Sequence, residues 1–319
     1  MTTARSRQVN PDVTPYYHVV SRCVRKTYLC GFDETSQRCY EHRREWIEGR
    51  IKDLSRVYCV DICAYAVMSN HYHLVVHLNR RKAQKLTCQE VIERWSGLHH
   101  QPNLIQKMVD KELKSEAEYL KAQEIVESWR ERLSNLSWFM KELNQDIAQK
   151  ANSEDKCKGH FWESRFKSQA LMDEQALLSA MAYVDLNPVR AGVAEVPEES
   201  EHTSIKERID CLSRFQATPA CLFPFTGTRG GDKDEGISFS LFDYIELVDW
   251  TGRQLRENKL SIDSQQPPIM DRLRTDSSAW LQVCTRLESK RAVLVGQKRN
   301  LERAVPKLNR TRVVGYALN

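Results

Sequence analysis

Between Val57 and Met68 nearly every residue is apolar on both alternating faces. Val57, Cys59, Cys63, Tyr65 and Val67 fall on one, and Tyr58, Val60, Ile62, Ala64, Ala66 and Met68 on the other. Such a run predicts a strand buried on both sides. Ser69-Asn70 is a turn signal and Tyr72 to His77 predicts a partner strand, so the two form a hairpin. Upstream, Tyr16 to Arg22 has strand composition. A helix is expected from Glu34 to Leu54, capped by Asp33, because Cys39, Trp46, Ile47, Ile51 and Leu54 recur near helical spacing. Residues 80–150 are highly charged with few turn clusters and predict about three inserted helices. Asp173 can cap a helix running to Asn187, with Leu177, Leu178, Met181 and Val184 as its apolar stripe and Pro188 marking its end. Residues 226–236 are rich in Gly and charge and predict a linker or loop. Helical stretches are expected after it, over 239–259, 268–285 and 289–304.

Composition adds little until it is localised. The chain has 319 residues, 41% of them hydrophobic, and a formal net charge of +5. From Glu288 to the end, eight basic residues (Lys290, Arg291, Lys298, Arg299, Arg303, Lys307, Arg310, Arg312) face only Glu288 and Glu302. That segment carries more than the whole net charge and suits either a solvated helix and tail or a phosphate-tracking surface. Ten cysteines are scattered without a Cys-x-x-Cys, so no zinc knuckle is written here. The expectation is free thiols in a cytoplasmic protein, with no secretory signal and no membrane-spanning run.

Two separated elements carry candidate chemistry. In Asn70-His71-Tyr72-His73-Leu74-Val75-Val76, side chains two apart on a strand point the same way, so His71 and His73 share a face with Val75 and His77. Two imidazoles so placed bind one cation if a third donor arrives from elsewhere. With nine histidines in the chain a His-x-His also arises by chance, and a structural role stays open. In Tyr183-Val184-Asp185-Leu186-Asn187-Pro188, Tyr183 and Asn187 lie four apart on one helix face. Alone, that tyrosine reads as a half-buried packing residue.

Together these elements resemble the single-tyrosine HUH transposases, in the branch called REP-associated tyrosine transposases. The resemblance rests on four blocks in the family's order. They are Tyr17-His18-Val19-Val20-Ser21-Arg22, Ala64 to Val76, Phe161-Trp162-Glu163-Ser164-Arg165-Phe166, and Tyr183 to Gly192. It covers residues 15–210. Tyr72 departs from the aliphatic residue usual between the two histidines, and the inserted region exceeds the compact family minimum. The resemblance implies an α+β fold with a ferredoxin-like antiparallel sheet, helices on it, a helical insertion and a helical C-terminal extension. The implied division is a catalytic domain over 1–210, with the insertion at 80–150, and an extension over 211–319.

The resemblance further implies that His71, His73 and Asn187 ligate Mg2+ or Mn2+ and that Tyr183 is the nucleophile. The activity implied is metal-dependent nicking and strand transfer on single-stranded or hairpin DNA through a 5′-phosphotyrosine, the chemistry of DNA transposition and recombination. Arg22, Arg25, Arg165 and Lys167 are the DNA-binding candidates, and Phe161, Trp162 and Phe166 read either as base platforms or as core aromatics. No membrane partner is expected, and a homodimer and a monomer both occur among related enzymes. One alternative is a domesticated hairpin-DNA-binding protein of the same fold that does not cleave. Another is a metal-dependent hydrolase in which Tyr183 is structural.

Overall fold

The computed structural model describes residues 8–24, 29–34, 37–214, 219–227, 235–256, 276–288, 292–308 and 314–318. Arg25, Lys290, Arg291, Arg310 and Arg312 lie outside these residues, as do 228–234 of the expected linker and 257–275. The protein is α+β. Its six-stranded sheet contains β1 (Tyr16–Arg22), β4 (Val60–Val67), β5 (His71–Leu78), β6 (Lys167–Leu171), β7 (Leu294–Gly296) and β8 (Gly315–Ala317). The spatial order is β4-β5-β1-β6-β7-β8. The first four strands pair antiparallel, in the order of a ferredoxin-like sheet, and β7 and β8 are added in parallel beyond β6. A two-residue ribbon, β2 (Phe32–Asp33) with β3 (Arg38–Cys39), stands apart.

One face of the sheet is closed by α1 (Arg43–Val57) and α6 (Leu136–Glu154), which bring Ile47, Ile51, Leu54, Phe139, Met140, Leu143 and Ile147 against Tyr17, Val19, Tyr72, Leu74 and Val76. The other face is closed by α7 (Glu174–Asp185), short α8 (Asn187–Arg190), α10 (Leu241–Arg256) and α11 (Ser277–Arg286). Between β5 and α6 in the chain, α2 (Arg80–Lys85), α3 (Cys88–Ser96), α4 (Asn103–Val109) and α5 (Glu116–Leu133) enclose a separate cluster around Trp95, Val126 and Trp129. Helix α9 (Ser204–Ser213) borders β4, and α12 (Lys298–Lys307) follows β7. All ten cysteines are free. Among the described residues no helix is long and apolar enough to cross a membrane.

Several sequence expectations change. The first helix begins at Arg43, because Asp33 pairs with Arg38 in the ribbon and cannot cap it. The hairpin strand starts at Val60, since α1 runs on to Val57. Strict alternation along it also fails. A bulge between Ile62 and Ala64 inserts Cys63, so Val60 and Ile62 share a face with Tyr65 and Val67, while Ala64 and Ala66 turn to the other. Residues 80–154 hold five helices, and the last packs on the sheet itself. In 289–304 the apolar Leu294 and Val295 extend the sheet as β7 before α12 begins, because parallel pairing with β6 buries both faces.

Helix α7 is buried from Gln175 to its end. Asp173 caps it, accepting from Ala176 N at 3.0 Å, and its other oxygen accepts from Gln297 N at 2.7 Å and Asn300 Nδ2 at 2.9 Å. One carboxylate thereby fixes the start of α7 and ties β7 and α12 to it. At the far end Asp185 accepts from Ser204 Oγ and Tyr244 Oη, both at 2.5 Å, and from Ile205 N at 3.0 Å. The helix ends there and not at Asn187, and Pro188 sits in the first turn of α8, where its missing N–H costs nothing.

Burial raises Asp185 to about 6, partly offset by Ser204 and Tyr244. The folded chain therefore holds this proton more tightly than the unfolded chain, so the group's stabilising contribution is full at low pH and is lost as pH rises through about 6. Asp185→Asn removes the titration. Urea unfolding should show the variant gaining on the parent by up to about 3 kcal/mol between pH 4 and 7. Parallel stability profiles would contradict this account of Asp185.

Candidate metal and tyrosine site

The pleat of β5 sends His71 and His73 to the face covered by α7, and Tyr72 and Leu74 to the opposite core. Tyr72 packs inward as expected, its ring 5.6 Å from Trp162 and its hydroxyl donating to Asn144 Oδ1 at 2.6 Å. The His71 and His73 ring centroids lie 4.7 Å apart at 77°. Helix α7 brings Tyr183 beside them, its ring 5.7 Å from His73 and 5.8 Å from His18. Residues more than a hundred positions apart in the chain thus converge.

A third acidic donor comes from just beyond α11. Glu288 Oε1 lies 3.3 Å from His73 Nε2 and accepts from Tyr183 Oη at 3.1 Å, while Oε2 is 3.6 Å from Arg22. The ligand atoms of His71, His73 and Glu288 all fall within 4.8 Å of one another, so this group could hold a metal ion. The chemistry of the donors fits. His73 is fully buried, and its Nε2 makes no hydrogen bond among the described residues. Burial lowers His71 to about 4, aided by Arg22, and burial with His71 and His18 nearby holds His73 well below the usual imidazole range. Both rings are therefore neutral near pH 7, the state that ligates a cation. Two imidazoles and a carboxylate suit Mn2+ better than Mg2+ by ligand hardness.

Tyr183 is only 5% exposed. Burial raises its phenol pKa and Glu288 adds to the rise, while Arg190 opposes it. The Arg190 guanidinium lies 3.8 Å from the ring centroid and donates to the carbonyls of Cys284 and Thr285. Asn187 follows one turn beyond Tyr183, 7% exposed, its Nδ2 without a hydrogen-bond partner among the described residues.

Of the cationic candidates, Arg22 stands directly across from His71 in the β1–β5 register. Lys167 reaches the same sheet row as His73 through Val20, and both Lys167 and Arg165 are exposed. Arg25 lies outside the described residues. Phe161 is buried in the core beside Trp162 and Phe166, and Trp162 Nε1 donates to Asn144 O at 2.8 Å, so these aromatics pack and do not form an open stacking platform. On α12, Lys298, Arg299, Arg303 and Lys307 are exposed. Sequence reasoning missed Glu288 as a donor, because no motif surrounds it. His18 and Arg190 stood within the quoted blocks without a role.

No family model matches the chain, and no curated protein does. Among solved structures, a REP-associated tyrosine transposase bound to a REP hairpin is similar at 11% identity, covering 71% of this chain and 93% of that one with a TM-score of 0.37. A likeness that slight carries no functional argument, which rests on the site.

Mn2+ binding, followed by electron paramagnetic resonance of the free ion, should fall more than about 100-fold in His71→Ala or His73→Ala and about 10-fold in Glu288→Gln. Unchanged affinity in His73→Ala would remove the site.

Proposed function

We propose that this protein is a divalent-metal-dependent enzyme that nicks single-stranded DNA at hairpin or palindromic sequences and transfers the strand through a 5′-phosphotyrosine. The observation that carries this reading is the Tyr183 ring held 5.7 Å from His73 in a metal-competent group. His71, His73 and Glu288 would hold the cation, with Asn187 a further donor one turn from Tyr183. Mg2+ or Mn2+ bound there supplies positive charge to a non-bridging phosphate oxygen.

The chain's own residues do the rest. The Tyr183 oxygen attacks phosphorus as the P–O3′ bond breaks, leaving the 5′-phosphate on the tyrosine and a free 3′-hydroxyl. Glu288 already accepts the phenol's hydrogen bond and orients it, the phenol's proton passes to solvent, and the departing 3′-oxygen takes a proton from solvent. Arg190 on the ring face stabilises the developing phenolate. Because the phosphoester bond energy is kept, another 3′-hydroxyl can reverse the step onto a new strand. Arg22 on β1 and Lys167 on β6, both on one side of the histidine strand, suit backbone phosphates, as does exposed Arg165. A single strand, unlike a duplex, can bend a phosphate into so recessed a site.

A second reading is a hairpin-binding protein without cleavage. It is favoured by the near-complete burial of Tyr183 and by the Glu288 carboxylate standing between the phenol and His73. Incubation with labelled hairpin DNA and Mn2+ followed by denaturing electrophoresis separates the two. The nicking reading expects a covalent protein–DNA band, lost in Tyr183→Phe and His71→Ala. A band retained by Tyr183→Phe would rule out this nucleophile. Metal-independent binding without any band would favour the second reading.

A further inference from the structure

Beneath His73 lies a line of buried polar groups that the chemistry above does not use. Gln169 on β6 donates from Nε2 to two backbone carbonyls, Leu287 at 3.0 Å and Ala292 at 3.1 Å. Two acceptors at one end of the amide fix its orientation, so Oε1 faces the other way. It faces His18 Nδ1 at 2.8 Å. An amide oxygen only accepts, so His18 carries its proton on Nδ1 and presents a lone pair at Nε2. That nitrogen is 3.1 Å from His73 Nδ1, with the two rings 8° from parallel. His73 must therefore be the donor, protonated on Nδ1, and its Nε2 is left as a bare lone pair.

We infer that Gln169 and His18 are positioning residues, a relay that holds His73 in the tautomer able to ligate a divalent cation through Nε2. The inference rests on the metal-dependent reading of the site and explains features that reading leaves open. His73 Nε2 is buried, faces Glu288 Oε1 at 3.3 Å and makes no hydrogen bond among the described residues. A lone pair facing a carboxylate is repulsive, and a divalent cation held by the two residues would relieve that repulsion. His71 obeys the same logic by a shorter route, since its Nδ1 lies 2.5 Å from Asn70 Oδ1, which frees its Nε2 as well. The sheet register makes the relay possible, because Gln169 lies directly opposite His18 on β1 and His73 opposite Val20. The carbonyls that orient Gln169 flank Glu288, so the same amide ties the third donor's segment to the histidine row.

The test has two readouts on full-length protein. Long-range proton–nitrogen correlation spectra of the metal-free, histidine-labelled chain should show both His18 and His73 protonated on Nδ1, against the Nε2–H form that free imidazoles favour. His18→Leu should weaken Mn2+ binding by about 10- to 100-fold, whereas His18→Gln, whose amide can accept from His73 and donate to Gln169, should stay within about threefold of the parent. His73 protonated on Nε2 while Mn2+ still binds would overturn the relay alone, and so would parental affinity in a folded His18→Leu. A parent chain that binds no Mn2+ would overturn the metal reading and the relay with it. If His18→Leu fails to fold, the tautomer in the parent spectrum still decides.

Discussion

The pleat of β5 commits His71 and His73 to one face of the sheet, and α7 buries that face. Everything else follows from keeping two imidazoles neutral and close under a lid of apolar helix. Burial makes protonation costly, which preserves their lone pairs, and it also makes a phenol beside them costly to ionise. Cations nearby resolve that tension. Arg190 lies on the tyrosine ring and lowers the cost of negative charge there, and Arg22 stands across from His71.

The scaffold spends its polar contacts on fixing α7. Asp173 holds the start of the helix against β7 and α12, and Asp185 holds its end against α9 and α10. Tyr183 sits between these two clamps. Its position relative to the sheet is therefore set by residues from the last third of the chain as much as by the helix's own sequence. The same region supplies Glu288 and the two carbonyls that orient Gln169. Leu287, Glu288 and Ala292, all beyond residue 211, thus stand at the same site as the histidines.

The stretch His160 to Lys167 shows how composition alone misleads. Its mixture of aromatics and cations reads equally as a base-stacking platform. In the fold the aromatics turn toward α6 and Tyr72, because the chain needs them to seal the edge of the core, and Arg165 and Lys167 remain at the surface. Single-residue periodicity could not assign the two roles.

The sequence by itself determined the hairpin, the shared face of His71 and His73 and the capped helix carrying Tyr183, because strand and helix periods are local properties of side-chain order, while the α+β class was implied by the resemblance of the four blocks. It could not reveal the Cys63 bulge, which depends on how β4 meets β5, nor β7 and β8, which are short and gain stability only by extending a sheet already formed. Above all, it could not reveal Glu288, His18 and Gln169 as parts of one site. Their chemistry arises from contacts between β1, β5, β6 and the segment after α11, and hydrogen bonds across 55 to 151 residues are written only when tertiary packing closes the distance.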